Sequence, residues 1–192
     1  MDIVENKNIN RFGIHPQKFA LWIALGSIAM MFAAITSAYV VRRGAGNWLE
    51  YQIPKVFFLS TLVLLLSSYT LHQSLSYFKS ENERFYKLFL AVTLVLGFAF
   101  VILQYQGWTQ LKAAGIHIQG NPSGSFFYVI SGLHVVHVLG GIAALIVAMI
   151  HAFGLPYKVT EFRKNRFEMV NHYWHFVDVL WIYLLTFMII QQ

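Results

Sequence analysis

The sequence of 192 residues contains no cysteine and few charged residues. Without cysteine, the chain cannot form disulfide bonds, cysteine-ligated zinc sites or iron–sulfur clusters. Asp, Glu, Lys and Arg make up only 11% of the residues, whereas they make up about a quarter of an average soluble domain. Because 57% of the residues are hydrophobic and 17% are aromatic, the composition indicates a membrane protein.

The basic residues behind the net charge of +6 are spread over the ends of apolar segments and do not form one cluster. A nucleic-acid-binding surface needs such a cluster, so we expect no nucleic-acid partner. In a membrane protein, basic residues at segment ends set the topology and contact anionic lipid headgroups.

Five long apolar segments predict five transmembrane helices. Each segment has about 20 residues or more, which is the length needed to cross the hydrocarbon core at a rise of about 1.5 Å per residue. They span approximately Phe19–Val41, Val56–Phe78, Phe85–Tyr105, Ser125–His151 and Met169–Ile190. The intervening loops are too short for a soluble domain. We therefore expect an all-α, polytopic membrane helix bundle that forms a single membrane domain over residues 1–192.

Lysine and arginine are distributed unequally between the two ends of these segments. The N-terminal arm, the second loop and the fourth loop share one side and contain Lys7, Arg11, Lys18, Lys79, Arg84, Lys87, Lys158, Arg163, Lys164 and Arg166. The opposite side contains only Arg42, Arg43, Lys55 and Lys112. By the positive-inside rule, we predict a cytoplasmic N-terminus and an external C-terminus.

The fourth and fifth segments contain ionisable residues in positions where burial in hydrocarbon is costly. His134 and His137 are three residues apart and lie on one helical face. His172, His175 and Asp178 repeat this spacing in the fifth segment, and Asp178 is the only carboxylate well inside any segment. These residues need either a functional or a structural explanation.

Three interpretations of these residues are open. Histidines of the two segments could ligate haem or a metal, although a di-iron site needs more inward carboxylates than Asp178 alone provides. The histidines and Asp178 could instead relay protons, but the other segments offer few polar groups to extend such a path. Alternatively, Asp178 could accept hydrogen bonds from a histidine or tryptophan N–H and hold helices together. The physical chemistry of the residues favours this structural interpretation.

Two further features of the fourth segment predict contacts. Gly132, Gly140 and Gly141 are small enough to let a neighbouring helix approach closely. His151 ends the segment on the predicted cytoplasmic side. There it could either cap helix carbonyl groups or contact a lipid phosphate.

Two motifs in these segments resemble a known family. SGLHVVHVLGG (residues 131–141) and FEMVNHYWHFVDVLWIYLL (residues 167–185) are closely similar to motifs of subunit III of haem–copper terminal oxidases, of which cytochrome c oxidase is the type. The resemblance extends over nearly all of the chain, since HQSL (72–75) and LQYQGW (103–108) end the second and third segments as in that family. Family members commonly have seven helices, and this chain resembles the shorter bacterial form that lacks the first two.

The resemblance implies a non-catalytic subunit of a bacterial aerobic respiratory haem–copper oxidase in the inner (plasma) membrane. Such a subunit stabilises the catalytic subunit I, binds phospholipid and supports sustained proton-coupled reduction of oxygen to water. It has no catalytic, cofactor or metal site of its own; haem and copper are expected in the partner subunits I and II, and the complex could join a larger respiratory supercomplex. By position, helix packing or lipid contact is expected of Ser131, Gly132, His134, His137, His151, Glu168, Trp174, His175 and Asp178.

Three positions depart from the family pattern. The family often has a Ser-Glu pair in the helix that corresponds to the first segment, whereas Ile28 follows Ser27 here, and a second family glutamate corresponds to Gly107. A carboxylate of this subunit therefore cannot assist proton entry at these two positions. His151 replaces a frequent arginine, so its contact with a lipid headgroup would be weaker when the imidazole is neutral.

Two alternative functions stay open. One is a subunit III-like companion of a nitric oxide reductase, a related complex. The other, from a different class, is a free-standing membrane haem protein with His134 or His137 paired to His175. The neighbouring genes, or a visible spectrum of the chain expressed alone, would distinguish them.

Overall fold

The computed structural model describes residues 16–154, 156–157 and 159–191, which form five long helices. They are α1 (Pro16–Gly44), α2 (Val56–Lys79), α3 (Glu83–Ala113), α4 (Pro122–Gly154) and α5 (Glu161–Ile190). All five are long and apolar enough to cross a membrane, and the described residues contain no strand. The prediction of an all-α membrane bundle with five transmembrane helices is therefore confirmed. Lys7, Arg11 and Lys158 of the topology prediction lie outside the described residues.

All five helices are longer than the apolar segments that predict them. Helix α5 extends furthest beyond the start of its segment, because it begins at Glu161 whereas the apolar segment begins at Met169. Thr160 caps this helix, because its side chain accepts a hydrogen bond from the backbone N–H of Arg163 at 3.3 Å. Hydropathy marks only the part of a helix that fits the hydrocarbon core, so polar turns at the ends were missed.

Helices α2 to α5 form a ring in which each helix packs against the next and α5 packs back against α2. Helix α1 lies outside this ring and contacts α4 and α5. Helix α5 therefore has three neighbours, α1, α2 and α4. Its most apolar stretch is 44% buried inside the protein, compared with 17% for α1, so α5 is the central element of the fold and α1 the most peripheral.

Glycines allow the close approach of α4 to α5, as predicted for two of three positions, and make room for the Trp174 side chain against α3. A Cβ at Gly141 would lie 2.9 Å from the indole of Trp174, and one at Gly140 would lie 3.3 Å from the hydroxyl of Tyr173. Gly97 of α3 meets the other edge of the same indole, at 3.0 Å. No atom lies within 4 Å of a Cβ at Gly132. The prediction is therefore wrong for Gly132, which faces open space.

The two ends of the bundle are held by different contacts. At the end that carries Lys18, Lys79 and Arg163, here called the basic end, ion pairs connect α1, α2 and α5. At the opposite end, the Tyr39 hydroxyl of α1 donates to the backbone carbonyl of Gln191 at 3.1 Å. These contacts fix α1 against α5 at both of its ends.

Candidate functional site

Three tryptophans make interhelical hydrogen bonds in the interior. The indole N–H of Trp174 donates to the Ser67 hydroxyl of α2 at 2.8 Å, and the indole N–H of Trp181 donates to Thr61 of α2 at 3.0 Å. A third indole, that of Trp108 on α3, donates to the Ser131 hydroxyl of α4 at 3.0 Å. Because these groups are shielded from water, each bond contributes to helix association, by about 0.6 kcal/mol on average in a membrane protein.

The histidines of α4 lie among aromatic rings. His134 is fully buried and stacks on Trp181, with 4.9 Å between the ring centroids. Neither of its ring nitrogens has a hydrogen-bond partner among the described residues. His137 packs edge-on against Phe32, and its Nδ1 donates to the carbonyl of Leu133 in its own helix at 2.7 Å. Both imidazoles therefore fill space between α4 and its neighbours.

Asp178 is not hydrogen-bonded in the way the sequence predicts. Its side chain is buried, and neither carboxylate oxygen accepts a hydrogen bond from any described residue. The tryptophan N–H groups of α5 are directed to hydroxyls of α2, and His175 Nδ1 is bonded to the Ser68 hydroxyl. The expected donation from a histidine or tryptophan is therefore wrong. The hydroxyl that lies beside both His175 and Asp178 is that of Ser68 on α2.

Glu168 connects three helices at the basic end. Its carboxylate lies 2.9 Å from the ammonium group of Lys18 on α1 and 3.0 Å from that of Lys79 on α2. The Glu168 side chain is only 16% exposed, whereas the two lysines are more exposed. One carboxylate shared by two cations is a small network, which contributes more to stability than an isolated surface ion pair.

A groove of about 850 Å³ lies between α4 and α5 at the basic end. Its floor on α4 consists of small residues, including Gly140, Ala144 and Ala148, and Leu21 of α1 lies along one wall. His151, Arg163 and Arg166 also line it. We call this feature the basic-end groove. It combines an apolar trough with cationic groups, which is the pattern that suits a phospholipid with an anionic headgroup.

Local contacts hold the basic side chains of this groove in place. Arg163 donates to the Pro156 carbonyl at 2.8 Å, and the Arg166 guanidinium lies 4.2 Å above the Phe162 ring. His151 Nδ1 donates to the Val147 carbonyl at 2.7 Å, so His151 both bonds a helix carbonyl and lines the groove. Tyr157 donates to the Phe78 carbonyl at 3.1 Å. Burial, with smaller contributions from Glu81 and Glu83, raises the pKa of the Tyr157 phenol.

Sequence reasoning missed Arg163 and Arg166 as site residues, because it counted them only as topology signals. Their spacing of three, at the start of a helix with an apolar face, could have indicated a joint role. The structure brings His175 and Asp178 together beside Ser68 of α2, whereas Glu168 lies apart from them at the basic end. It places Gly132 away from all of them.

The histidines are not arranged as a pair of haem ligands. His175 is bonded to Ser68 on α2, whereas His134 and His137 pack against Trp181 and Phe32. Within the described part of the chain, no three His, Asp or Glu side chains come together in a metal-binding group. The arrangement therefore gives no support to the bis-histidine interpretation.

Comparison with known proteins gives a consistent result. Residues 48–191 match the family model described as cytochrome c oxidase subunit III. The probable cytochrome c oxidase subunit 3 of Mycobacterium tuberculosis is 33% identical over 173 residues, covering 84% of this chain and 81% of the relative. The probable quinol oxidase subunit 3 of Staphylococcus haemolyticus is 26% identical, covering 88% and 86%. The cytochrome c oxidase subunit 3 of Bacillus sp. (strain PS3) is also 26% identical, covering 86% and 81%. The region matched by the family model includes α2 to α5 and every residue singled out for packing or lipid contact.

Proposed function

The chain belongs to the cytochrome c oxidase subunit III family and is a subunit III of a haem–copper oxidase, and we propose that it supports the catalytic subunit without performing chemistry itself. It is a multi-pass membrane protein that assembles with other oxidase subunits. In this proposal, haem and copper are bound by the partner subunits I and II. This chain stabilises subunit I and helps to sustain the proton-coupled reduction of oxygen to water.

The observation that carries the proposal is the basic-end groove. Its apolar trough along Ala144 and Ala148 has room for acyl chains, and Arg163 and Arg166 provide cations for a phosphate. Arginine is suited to phosphate because its guanidinium presents several N–H donors in a fixed plane. We therefore assign this groove to an anionic phospholipid, with His151 as a weaker third contact.

The proposed orientation places the basic end in the cytoplasm of a bacterium. Lys18, Lys79, Arg163 and Arg166 would then face the anionic cytoplasmic leaflet. The N-terminus is cytoplasmic and the C-terminus external in this arrangement, as the distribution of lysine and arginine predicts.

The relatives favour the oxidase over the other two candidates. The similar proteins reported above are named as oxidase subunits, either of cytochrome c oxidase or of quinol oxidase. Among the described residues, no specific contact favours a nitric oxide reductase companion or a free-standing haem protein. The electron donor is determined by the partner subunits.

Turnover measurements test the supporting role. The complex that lacks this chain should start oxygen reduction at nearly the same rate as the intact complex, because the chemistry takes place in other subunits. Its activity should then decay faster during continued turnover, as followed with an oxygen electrode. An immediate and complete loss of rate in a core that is still assembled would contradict the proposal.

The phospholipid assignment needs a separate test. The double variant R163Q/R166Q should lose anionic phospholipid that co-purifies with the complex, as measured by mass spectrometry of extracted lipid. The matched control is R84Q, since Arg84 is an exposed arginine near the same end that does not line the groove. Equal phospholipid content in the double variant and the control would contradict the assignment.

A further inference from the structure

Helix α1 is attached to the bundle unevenly along its length. In the half away from the basic end, the Thr36 hydroxyl is hydrogen-bonded to the Tyr183 hydroxyl of α5 at 2.9 Å. The Tyr39 hydroxyl and the Arg43 guanidinium both donate to Gln191, at 3.1 and 2.8 Å. Thr36 and Tyr39 are also buried. Several independent contacts therefore hold this half of α1 to α5.

The basic-end half of α1, Pro16–Leu25, is attached less firmly. Leu25 is the only buried residue of this half, and Trp22 is largely exposed. At the start of the helix, the ammonium group of Lys18 lies 2.9 Å from the Glu168 carboxylate of α5. The position of this half against the bundle therefore depends mainly on one ion pair.

The two halves of α1 meet at a point where the helix is easily bent. Gly26 and Ser27 are adjacent there, and a Cβ at Gly26 would have no atom within 4 Å. The Ser27 hydroxyl donates to the Ala24 carbonyl of its own helix at 2.8 Å. Glycine weakens a helix, a serine that bonds a carbonyl of the preceding turn tends to bend it, and sharp kinks often occur at Gly/Ser pairs. We call Gly26 and Ser27 the hinge.

The basic-end half of α1 forms one wall of the basic-end groove. Leu21 lines this groove together with Ala148 of α4 and Val170 of α5. Beyond the hinge, α1 contacts α4 directly, since the Phe32 and His137 rings are 5.6 Å apart between centroids. A bend at the hinge therefore changes the width of the groove and leaves the rest of α1 in place.

The lever from the hinge to Lys18 is long enough for a useful movement. At about 1.5 Å per residue, Lys18 lies about 12 Å from Gly26 along the helix axis. A bend of about 20°, which is typical of a kinked helix, moves the Lys18 end by about 4 Å. Transmembrane helices tolerate tilts of about 0–40°, so the bilayer does not prevent this movement.

We propose that Pro16–Leu25 is a gate for the basic-end groove, which bends at the hinge and is held closed by the ion pair between Lys18 and Glu168. Opening the gate lets an anionic phospholipid enter or leave the groove, so the ion pair controls the rate of lipid exchange. This inference rests on the proposed function, since it requires that the groove binds a phospholipid.

Glu168 provides a matched pair of variants. Its carboxylate binds Lys18 of α1 at 2.9 Å and Lys79 of α2 at 3.0 Å. K18Q and K79Q each remove one cation from the same carboxylate at the same end of the bundle, but only K18Q releases the gate. The two variants therefore separate release of the gate from a general loss of positive charge.

A second pair of variants tests the hinge without a change of charge. G26A should stiffen α1, because alanine favours the helix more than glycine does and its methyl group has room. The control is G132A on α4, where a Cβ also has no atom within 4 Å and which does not line the groove. This pair excludes a direct attraction of Lys18 for the lipid headgroup as the cause of an effect.

Distances between spin labels test the movement of the gate in the full chain in lipid nanodiscs. The sequence has no cysteine, so labels attach only at introduced ones. The pair F19C/I150C reports on the basic end and V41C/I190C on the opposite end, and all four positions are exposed. In K18Q, double electron–electron resonance should show a shift of about 4 Å to longer distances for the first pair only. No shift in K18Q, or equal shifts for both pairs, would overturn the gate.

Lipid exchange in the assembled oxidase tests the consequence. Native mass spectrometry follows the replacement of bound phosphatidylglycerol by the deuterated lipid. The half-time should be about threefold shorter in K18Q, as expected for loss of one partly shielded ion pair, and unchanged in K79Q. It should be longer in G26A than in G132A. Equal half-times within either pair would overturn the gate while leaving the phospholipid assignment intact. Absence of bound phosphatidylglycerol from the unmodified complex would instead refute that assignment, and the gate with it.

Discussion

Two neighbouring serines of α2 make hydrogen bonds with two neighbouring residues of α5, in opposite surroundings. Ser67 is fully buried and accepts from the indole of Trp174, which is itself buried. Ser68 is half-buried and is bonded to the imidazole of His175, which is itself half-buried. A step of one residue turns a helix by about 100°, so adjacent bonds face different environments.

The two hydrogen bonds show that polar groups have two different roles in this membrane bundle. The Ser67–Trp174 bond satisfies all of its groups inside the ring of helices and therefore contributes to the stability of the chain itself. The Ser68–His175 bond lies beside the exposed His72, whose ring centroid is 6.2 Å from that of His175. Groups of this second kind contribute only weakly to the stability of the chain, because they are not fully shielded.

The largest expected effect is a loss of stability when a side chain in the interior is removed. The W174A variant should lose about 3–5 kcal/mol of stability, because a buried indole that packs against Gly97 and Gly141 leaves a large cavity. Unfolding of the purified chain by sodium dodecyl sulfate, followed by circular dichroism, measures this loss. The control is W22A, since Trp22 is 61% exposed on α1 and should change stability by less than about 1 kcal/mol. Equal losses in both variants would show that Trp174 does not hold the bundle together.

A smaller effect compares the two serines directly. S67A should destabilise the chain by about 1–2 kcal/mol, because the Trp174 indole N–H then remains buried without an acceptor. S68A should cost less than about half of that, since His175 is only half-buried and its imidazole is not left in a fully enclosed site. The same unfolding assay measures both variants. A larger loss for S68A than for S67A would contradict the assignment of Ser67 to the interior and Ser68 to the outer side of the ring.

The number and type of the helices could be predicted from the sequence, because hydropathy and length depend on local composition. The close packing at Gly140 and Gly141 was also predictable, since small residues in a transmembrane helix let a neighbouring helix approach closely. Gly132 shows the limit of that argument: whether a glycine faces a neighbour depends on how the helix is rotated, and one sequence does not determine this rotation.

The partners of polar groups could not be predicted, because they depend on which helices meet. The sequence shows that Asp178 is the only carboxylate deep in a segment, but it does not show that Trp174 and Trp181 bond to α2 instead. The role of Arg163 and Arg166 was missed for the same reason. The groove that they line exists only because small residues of α4 face them across a gap.

The smallest expected effect on the isolated chain concerns Asp178. D178N should change the stability of the purified subunit by less than about 1 kcal/mol, because no described residue donates a hydrogen bond to the carboxylate that is lost. In the assembled oxidase, the same variant should leave the fraction of complexes that retain this chain unchanged, because both carboxylate oxygens are enclosed by the chain's own atoms. The haem spectrum of the core should be unchanged. Quantitative mass spectrometry of the purified complex, together with visible spectroscopy, measures both outcomes. A loss of several kcal/mol in the isolated chain would show instead that the charged Asp178 carboxylate is strongly paired within its own bundle.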